Sequence, residues 1–181
     1  MCRVVFLLGT KEGTVPEIAE EHETHGDILL VAVDDTYRNL VYKLLAGYRW
    51  ATTQTTDFVL KSDSDVVVHL DRLQSLLYGP VSSIHPIWTS HGLHCHTRTE
   101  PPIRDKCSRW YTPPELYPHD LYPLFCSGPA YFARRHVFEQ LVEESRRHRV
   151  LEVEDVFYTG VVAESLGISR NCERNIVPYT D

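Results

Sequence analysis

Apolar positions along the 181-residue chain alternate between short continuous runs and stripes at helical spacing. Residues 4–8 (Val4-Val5-Phe6-Leu7-Leu8) form the first run, of buried-strand length. Gly9-Thr10-Lys11-Glu12-Gly13 then reads as a turn. Thr14 is placed to cap a short acidic helix over residues 15–23, with Pro16 and Glu17 in a first turn that favours both. Gly26-Asp27 leads into a second strand over residues 28–33. Asp34-Asp35-Thr36 closes that strand and offers caps for the next helix. In that helix Leu40, Val41, Leu44, Leu45 and Tyr48 share one face, while Lys43, Gly47 and Arg49 lie off it. A third strand over residues 57–61 comes next, then Ser62-Asp63-Ser64-Asp65, Val66-Val67-Val68 and a short helix near residues 71–77. Strand–helix–strand alternation of this kind predicts an α/β fold built on a mainly parallel sheet.

The texture changes between Tyr78 and Ser127. Eight of the eleven prolines fall there, and histidines cluster between His85 and His96. The pattern predicts short antiparallel strands and long loops over one end of the sheet, a common place for a binding site. Regular signals return with a strand at residues 130–133 and a helix at 134–146. Val153, Val156, Phe157, Gly160 and Val161 then mark another apolar helical face ending near Gly167. No internal repeat or linker interrupts the pattern, so the chain reads as one domain over residues 1–181.

Composition narrows the function classes. A chain with 43% hydrophobic residues, ten Tyr and three Trp is not disordered, and its length can bury a core without a structural metal or disulfide. The formal charge of −7 argues against nucleic acid as a partner, because phosphate binding calls for a basic surface. No apolar run approaches the roughly 18 residues of a membrane span. Five cysteines at scattered spacings, with no CxxC, fix neither a pairing nor a redox compartment.

Three groups are candidates for chemistry. Asp63-Ser64-Asp65 sits at the carboxyl end of a predicted buried strand, where open α/β sheets place ligands. Two carboxylates at i and i+2 can share a hard divalent cation, and an acidic turn is the bland alternative. Glu154-Asp155 opens an apolar-faced helix. There it is either a helix-start pair favoured by the dipole or a general base in a pocket. His91, His94, Cys95 and His96 carry zinc-donor atoms, but their spacing matches no closed structural site. Around these groups, Trp88, Trp110, Tyr111 and Tyr117 would suit stacking on a sugar face if not committed to packing. Arg104-Asp105-Lys106 and Arg109 would suit phosphate or sugar hydroxyls if not merely solvated.

Taken in chain order, a set of short stretches is more specific than any of these alone. They are residues 5–9; Gly26-Asp27-Ile28-Leu29; residues 35–40 with Lys43; Trp50; and residues 58–65. Then come residues 102–106 with Trp110-Tyr111; Tyr122-Pro123; Cys126-Ser127-Gly128; Tyr131; Glu154-Asp155-Val156; Gly160; and Leu166-Gly167-Ile168. Together they resemble the β-1,3-glycosyltransferase family, which includes β-1,3-galactosyltransferases and β-1,3-N-acetylglucosaminyltransferases.

The resemblance implies a GT-A-type nucleotide-sugar fold, with helices on both faces of the central sheet. It also implies inverting, Mn²⁺-dependent transfer of a hexose from a UDP-sugar to a glycan hydroxyl in β-1,3 linkage. On that basis Asp65 matches a direct Mn²⁺ ligand, and Asp63 lies nearer the ribose or the metal's water shell. Asp155 matches the base that deprotonates the acceptor, and Glu154 a residue that orients the acceptor or the loop. Ser127 and Gly128 match the turn lining the donor sugar, and Lys61 and Lys43 match positions near the nucleotide end of the sheet.

The departures are specific. Ser64 stands where the family commonly has a third Asp, and Pro129 stands where a more flexible residue is usual. No counterpart of the family's first strand, membrane anchor or C-terminal metal-binding His is placed in the chain, so an N-terminally shortened member is expected. Full-length members of such a family are single-pass type II proteins of the Golgi lumen that glycosylate glycoproteins or glycolipids. The alternatives are a non-catalytic relative that binds sugar or protein, and a zinc-stabilised interaction domain built on residues 85–107.

Overall fold

A computed structural model of the chain describes residues 3–10, 16–78 and 91–173. Two sheets carry the architecture. In the first, β1 (Phe6–Gly9) and β2 (Ile28–Val31) pair in parallel across α1 (Pro16–His25). The helix ends at Gly26, whose φ of 63° turns the chain into β2. The expected cap at Thr14 lies outside the described residues. β2 is shorter than the apolar run suggested, because the chain turns at Val33, whose amide bonds back to the carbonyl of Val31.

The second sheet has the order β3-β5-β4-β6, formed by Phe58–Ser62, Phe125–Arg134, Gly92–Arg98 and Ser169–Cys172. β5 runs antiparallel to both β3 and β4, and only β4 and β6 are parallel. The expectation of a mainly parallel sheet is therefore corrected for this sheet. Strand direction leaves no mark in hydrophobic periodicity. Moreover β4, the sequence Gly-Leu-His-Cys-His-Thr-Arg, does not read as the interior strand it is.

The faces of this sheet follow the period-2 rule. Phe58 and Leu60 of β3 and Ala130 and Phe132 of β5 point to one side, against Leu73 and Leu77 of α3 (Leu70–Tyr78). Val59, Tyr131 and Ala133 point to the other side, into the larger core. That core holds Val41, Leu44 and Tyr48 of α2 (Leu40–Thr52), and Val137, Phe138 and Leu141 of α4 (Arg135–Ser145). It also takes in the segment Val156–Val162, which continues as α5 (Ala163–Ser165). Helices thus cover both faces, as expected. Of the predicted α2 stripe, the structure buries Val41, Leu44 and Tyr48 and adds Ala51.

Two departures from regular geometry lie where these elements converge. Val156–Val162 is wound as a π-helix, the wider winding that recurs at functional sites. In addition, the β4–β5 register breaks: Cys95 faces Tyr131, but two residues later Thr97 faces Cys126. The residues between Cys126 and Tyr131 bulge out of that ladder, and a Cys95–Cys126 disulfide spans the break. No described helix is long and apolar enough to cross a membrane.

Candidate active site

Lys61 is the penultimate residue of β3 and alternates with Leu60, so its side chain enters the larger core rather than the α3 face. It is 8% exposed. A buried ammonium needs compensation. Its Nζ ion-pairs with Asp63, donates to the carbonyl of Gly128, and lies 3.9 Å from Glu154 Oε1. The Tyr131 ring, its cross-strand neighbour, lies 5.7 Å away. Asp63 is anchored through the main chain as well, since its amide donates to the carbonyl of Pro129 at 2.9 Å. The end of β3 is thereby tied to the bulge of β5 at consecutive residues.

The bulge in turn meets the start of the π-helical segment. Asp155 Oδ2 accepts from the Gly128 amide at 2.9 Å, and its Oδ1 accepts from the Val156 amide at 2.8 Å. Each bond uses one lone pair of its oxygen and fixes the carboxylate plane. Gly128 sits so close that a Cβ there would lie 3.3 Å from Asp155 Oδ2 and 3.4 Å from Glu154 Oε1. Ser127 is buried in the same bulge. Behind the pair, the Thr159 hydroxyl donates to the Asp155 carbonyl at 2.5 Å and accepts from the Cys126 amide at 2.8 Å. Gly160 lets this helix approach β5, because a Cβ there would lie 3.2 Å from Phe125 Cβ.

Burial sets the electrostatics. Glu154 is 4% exposed, and desolvation, reinforced by the charge of Asp155 and opposed by Lys61, pushes its carboxyl up to about 7. Desolvation raises Asp155 as well, against the pull of its two backbone amide donors. Two adjacent acids with raised affinity for protons are suited to taking and holding one.

The structure therefore brings Lys61, Asp63, Gly128, Glu154 and Asp155 into one cluster, with Ser127 beside it. Asp65 is exposed two residues beyond Asp63, on the turn closed by Val66 N to Asp63 O. Among the described residues no three His, Cys, Asp or Glu side chains are grouped to hold a metal. The Asp63 and Asp65 donor set fits a cation that takes one or two carboxylates and completes its shell with phosphate and water, as Mg²⁺ and Mn²⁺ do.

Other sequence candidates are placed elsewhere. Lys43 pairs with Asp35 at 2.6 Å, and Asp35 also accepts from the Gly9 amide, at the end of β1. The Asp35 carboxylate, expected as a helix cap, is spent there, and Lys43 holds it below the usual range. Arg104 donates to the carbonyls of Thr112, Tyr117 and His119, so it ties a loop together rather than facing a ligand. The zinc reading fails on its own donors: Cys95 is in the disulfide and His94 pairs with Glu173 at 3.3 Å. His85 and Trp88 lie outside the described residues.

Two contributors were not singled out from the sequence. Thr159 lies four residues after Asp155, a helical spacing that carried the signal. Tyr37 shares a hydrogen bond with Trp110, and its hydroxyl is pushed up by burial and by the charges of Glu154 and Asp155. Arg109 stacks on both rings, 5.4 Å from Tyr37 and 4.3 Å from Trp110.

The sequence profile of a family described as Galactosyltransferase matches residues 1–174. The chain is 36% identical over 169 residues to Beta-1,3-galactosyltransferase 1 of Mus musculus and of Homo sapiens, covering 91% of this chain and 50% of each relative. It is also 36% identical over 171 residues to Beta-1,3-galactosyltransferase 2 of Mus musculus, covering 39% of that protein. The chain thus spans half or less of the length of these relatives.

Proposed function

The chain belongs to the galactosyltransferase family, and from that premise we propose that it forms the transfer site of an inverting β-1,3-hexosyltransferase of GT-A type, using a UDP-sugar and a glycan acceptor. The observation that carries the proposal is the convergence of Asp63, Gly128 and the Glu154–Asp155 pair around Lys61, from three stretches far apart in sequence.

Asp155 is the base. Its carboxylate is oriented by two backbone amides and keeps lone pairs for a third partner. It takes the proton of the acceptor hydroxyl as that oxygen bonds to the anomeric carbon. The bond from the anomeric carbon to the phosphate oxygen breaks on the opposite face, and UDP leaves with the electron pair. Glu154, buried behind, holds the acceptor-side charge in balance with Lys61. Gly128, lacking a Cβ, leaves room for the donor sugar against the bulge. Lys61 fixes Asp63 toward the diphosphate end, and Asp65 stands free to bind the cation. Asp65 and Asp63 would hold a Mn²⁺ ion, whose charge would offset that developing on the departing diphosphate.

The disulfide between β4 and β5 suits an oxidising compartment such as the Golgi lumen. The test is calorimetric titration of UDP with and without Mn²⁺, on the chain and on Asp65→Asn. Binding that needs Mn²⁺ and is lost in Asp65→Asn supports the reading. Absence of UDP binding in every condition overturns it for this chain and leaves a non-catalytic sugar- or protein-binding relative.

A further inference from the structure

The buried lysine at the centre of the site rests on an aromatic cluster to which the reaction assigns no part. Lys61 and Tyr131 are directly opposed on β3 and β5, and Tyr131 is opposed in turn by Cys95 on β4. Opposed residues project to the same face, so the three side chains form one row across the sheet. Tyr131 is wholly buried in that row. The Lys61 ammonium lies over its ring, 5.7 Å from the centroid. Of the three ammonium donors, one meets Asp63 and one the Gly128 carbonyl. Glu154 Oε1, at 3.9 Å, is beyond hydrogen-bond length and holds the ammonium by charge alone.

The ring is itself fixed at its far end. The Tyr131 hydroxyl shares a hydrogen bond with that of Tyr48 from α2, and both are buried. Phe138 of α4 packs on Tyr48 at 5.0 Å and lies nearly parallel to Tyr131 at 6.5 Å. Tyr158 meets Tyr48 edge-on at 5.2 Å, and its hydroxyl donates to the Val41 carbonyl of α2 at 2.8 Å. Tyr158 also lies four residues after Glu154 in the π-helical segment, so the cluster ties the element that carries the acids to the strand that carries Tyr131. Phenylalanines would fill this core without a hydroxyl to satisfy; a buried phenol pair instead fixes orientation. An aromatic face attracts a desolvated ammonium more strongly than an exposed one, and an aliphatic side chain of similar bulk offers no such attraction. Lys61 serves two carboxylates from different elements, so a shift toward either weakens its hold on the other.

We propose that Tyr131 is a positioning residue of the site: its ring holds the Lys61 ammonium between Asp63 and Glu154, and the Tyr48 hydroxyl sets the angle of the ring. The proposal rests on the transferase reading for its effect on the reaction, but not for its geometry, which is the seating of a buried cation on an aromatic face.

The test follows the lysine side chains of the ¹³C-lysine-labelled chain by NMR, with sugar transfer from a UDP-sugar and Mn²⁺ measured in parallel. In wild type the Lys61 ε-methylene protons should resonate upfield of those of free lysine, through the ring current of Tyr131. The shift should persist in Tyr131→Phe and vanish in Tyr131→Leu. The kcat of Tyr131→Leu should fall about tenfold with donor KM within about twofold, while Tyr131→Phe stays within about threefold of wild type. Phe138→Leu removes a ring from the same cluster without removing the one under Lys61. It should lower the thermal midpoint as Tyr131→Leu does, yet keep the Lys61 shift and kcat. An unshifted Lys61 in wild type, a shift that survives Tyr131→Leu, or an equal loss of kcat in Phe138→Leu would each overturn the proposal; the first needs no variant to fold. A wild-type chain that binds no UDP and transfers no sugar, with Lys61 shifted as expected, would overturn the transferase reading and uphold the seating of Lys61 on Tyr131.

Discussion

The two acidic pairs are built from the same chemistry and placed in opposite surroundings. Asp63 and Asp65 lie on a turn at the end of β3, with Asp63 partly exposed and Asp65 more so. Glu154 and Asp155 lie at the start of a buried helix, against a bulge and a buried lysine. Water-facing carboxylates exchange hydration for a cation at little cost. Buried ones hold protons more tightly and keep a fixed orientation. The contrast divides the labour: the turn is suited to charge on a diphosphate, the buried pair to the proton of an attacking hydroxyl.

Substitutions that swap or erase these surroundings test the division. The largest effect is expected for Asp155→Asn, which keeps the shape but removes the proposed base. Sugar transfer should fall by roughly 10²–10⁴-fold, while UDP binding with Mn²⁺ stays intact in a parallel titration. Asp65→Asn should do the reverse, weakening Mn²⁺-dependent UDP binding by about 100-fold through loss of one charged ligand. Its thermal midpoint should be unchanged, since the residue is exposed. If both variants lost UDP binding equally, the division would fail.

The next effect is on stability. The Glu154 carboxyl sits near 7 in the folded chain against an ordinary 4.5, so between those values the folded state binds more protons than the unfolded one. Wild-type stability should therefore be highest below about pH 4.5 with respect to this group, and should fall as pH rises through about 7. Glu154→Gln lacks that penalty. Its unfolding free energy should exceed that of wild type by about 3 kcal/mol near pH 8, with the advantage fading toward pH 4. A difference independent of pH would show that Glu154 is not held protonated by burial. The smallest effect is expected for Gly128→Ala, whose Cβ would press on both acids at 3.3–3.4 Å. A rate loss of about tenfold, with under about 1 kcal/mol of stability lost, would show that the bulge positions rather than supports.

The contrast between the pairs also shows what sequence carries. The α2 stripe was legible because three of its five apolar positions are buried at helical spacing, and β1, β2 and β3 because they are short apolar runs. The carboxylates at 63, 65, 154 and 155 stood out as pairs in the sequence, Lys61, Ser127 and Gly128 came only from motif order, and Thr159 and Tyr37 were not singled out. Nothing local marks Lys61 as buried until β3 is paired with Tyr131 of β5, 70 residues on. β4 was hidden because His94 and Cys95 are buried by tertiary contacts that a hydropathy pattern scores as polar or ambiguous. The π-helical winding was hidden too: its apolar residues suit an ordinary helix, and its geometry is set by packing and by the Thr159 bonds.

The Cys95–Cys126 bond gives this site a history. It joins β4 to the residue from which the bulge departs, across 31 residues of sequence. A bridge closing a loop of that size adds about 4 kcal/mol against unfolding. More to the point, Cys126 also donates its amide to Thr159, whose hydroxyl donates to the Asp155 carbonyl. The disulfide thus anchors one end of the hydrogen-bond chain that runs from Cys126 through Thr159 to the Asp155 carbonyl. A chain made in a reducing cytosol should keep the bulge tied to Lys61, Asp63 and Asp155 and lose only its covalent link to β4. One made along a secretory route should carry that link as well.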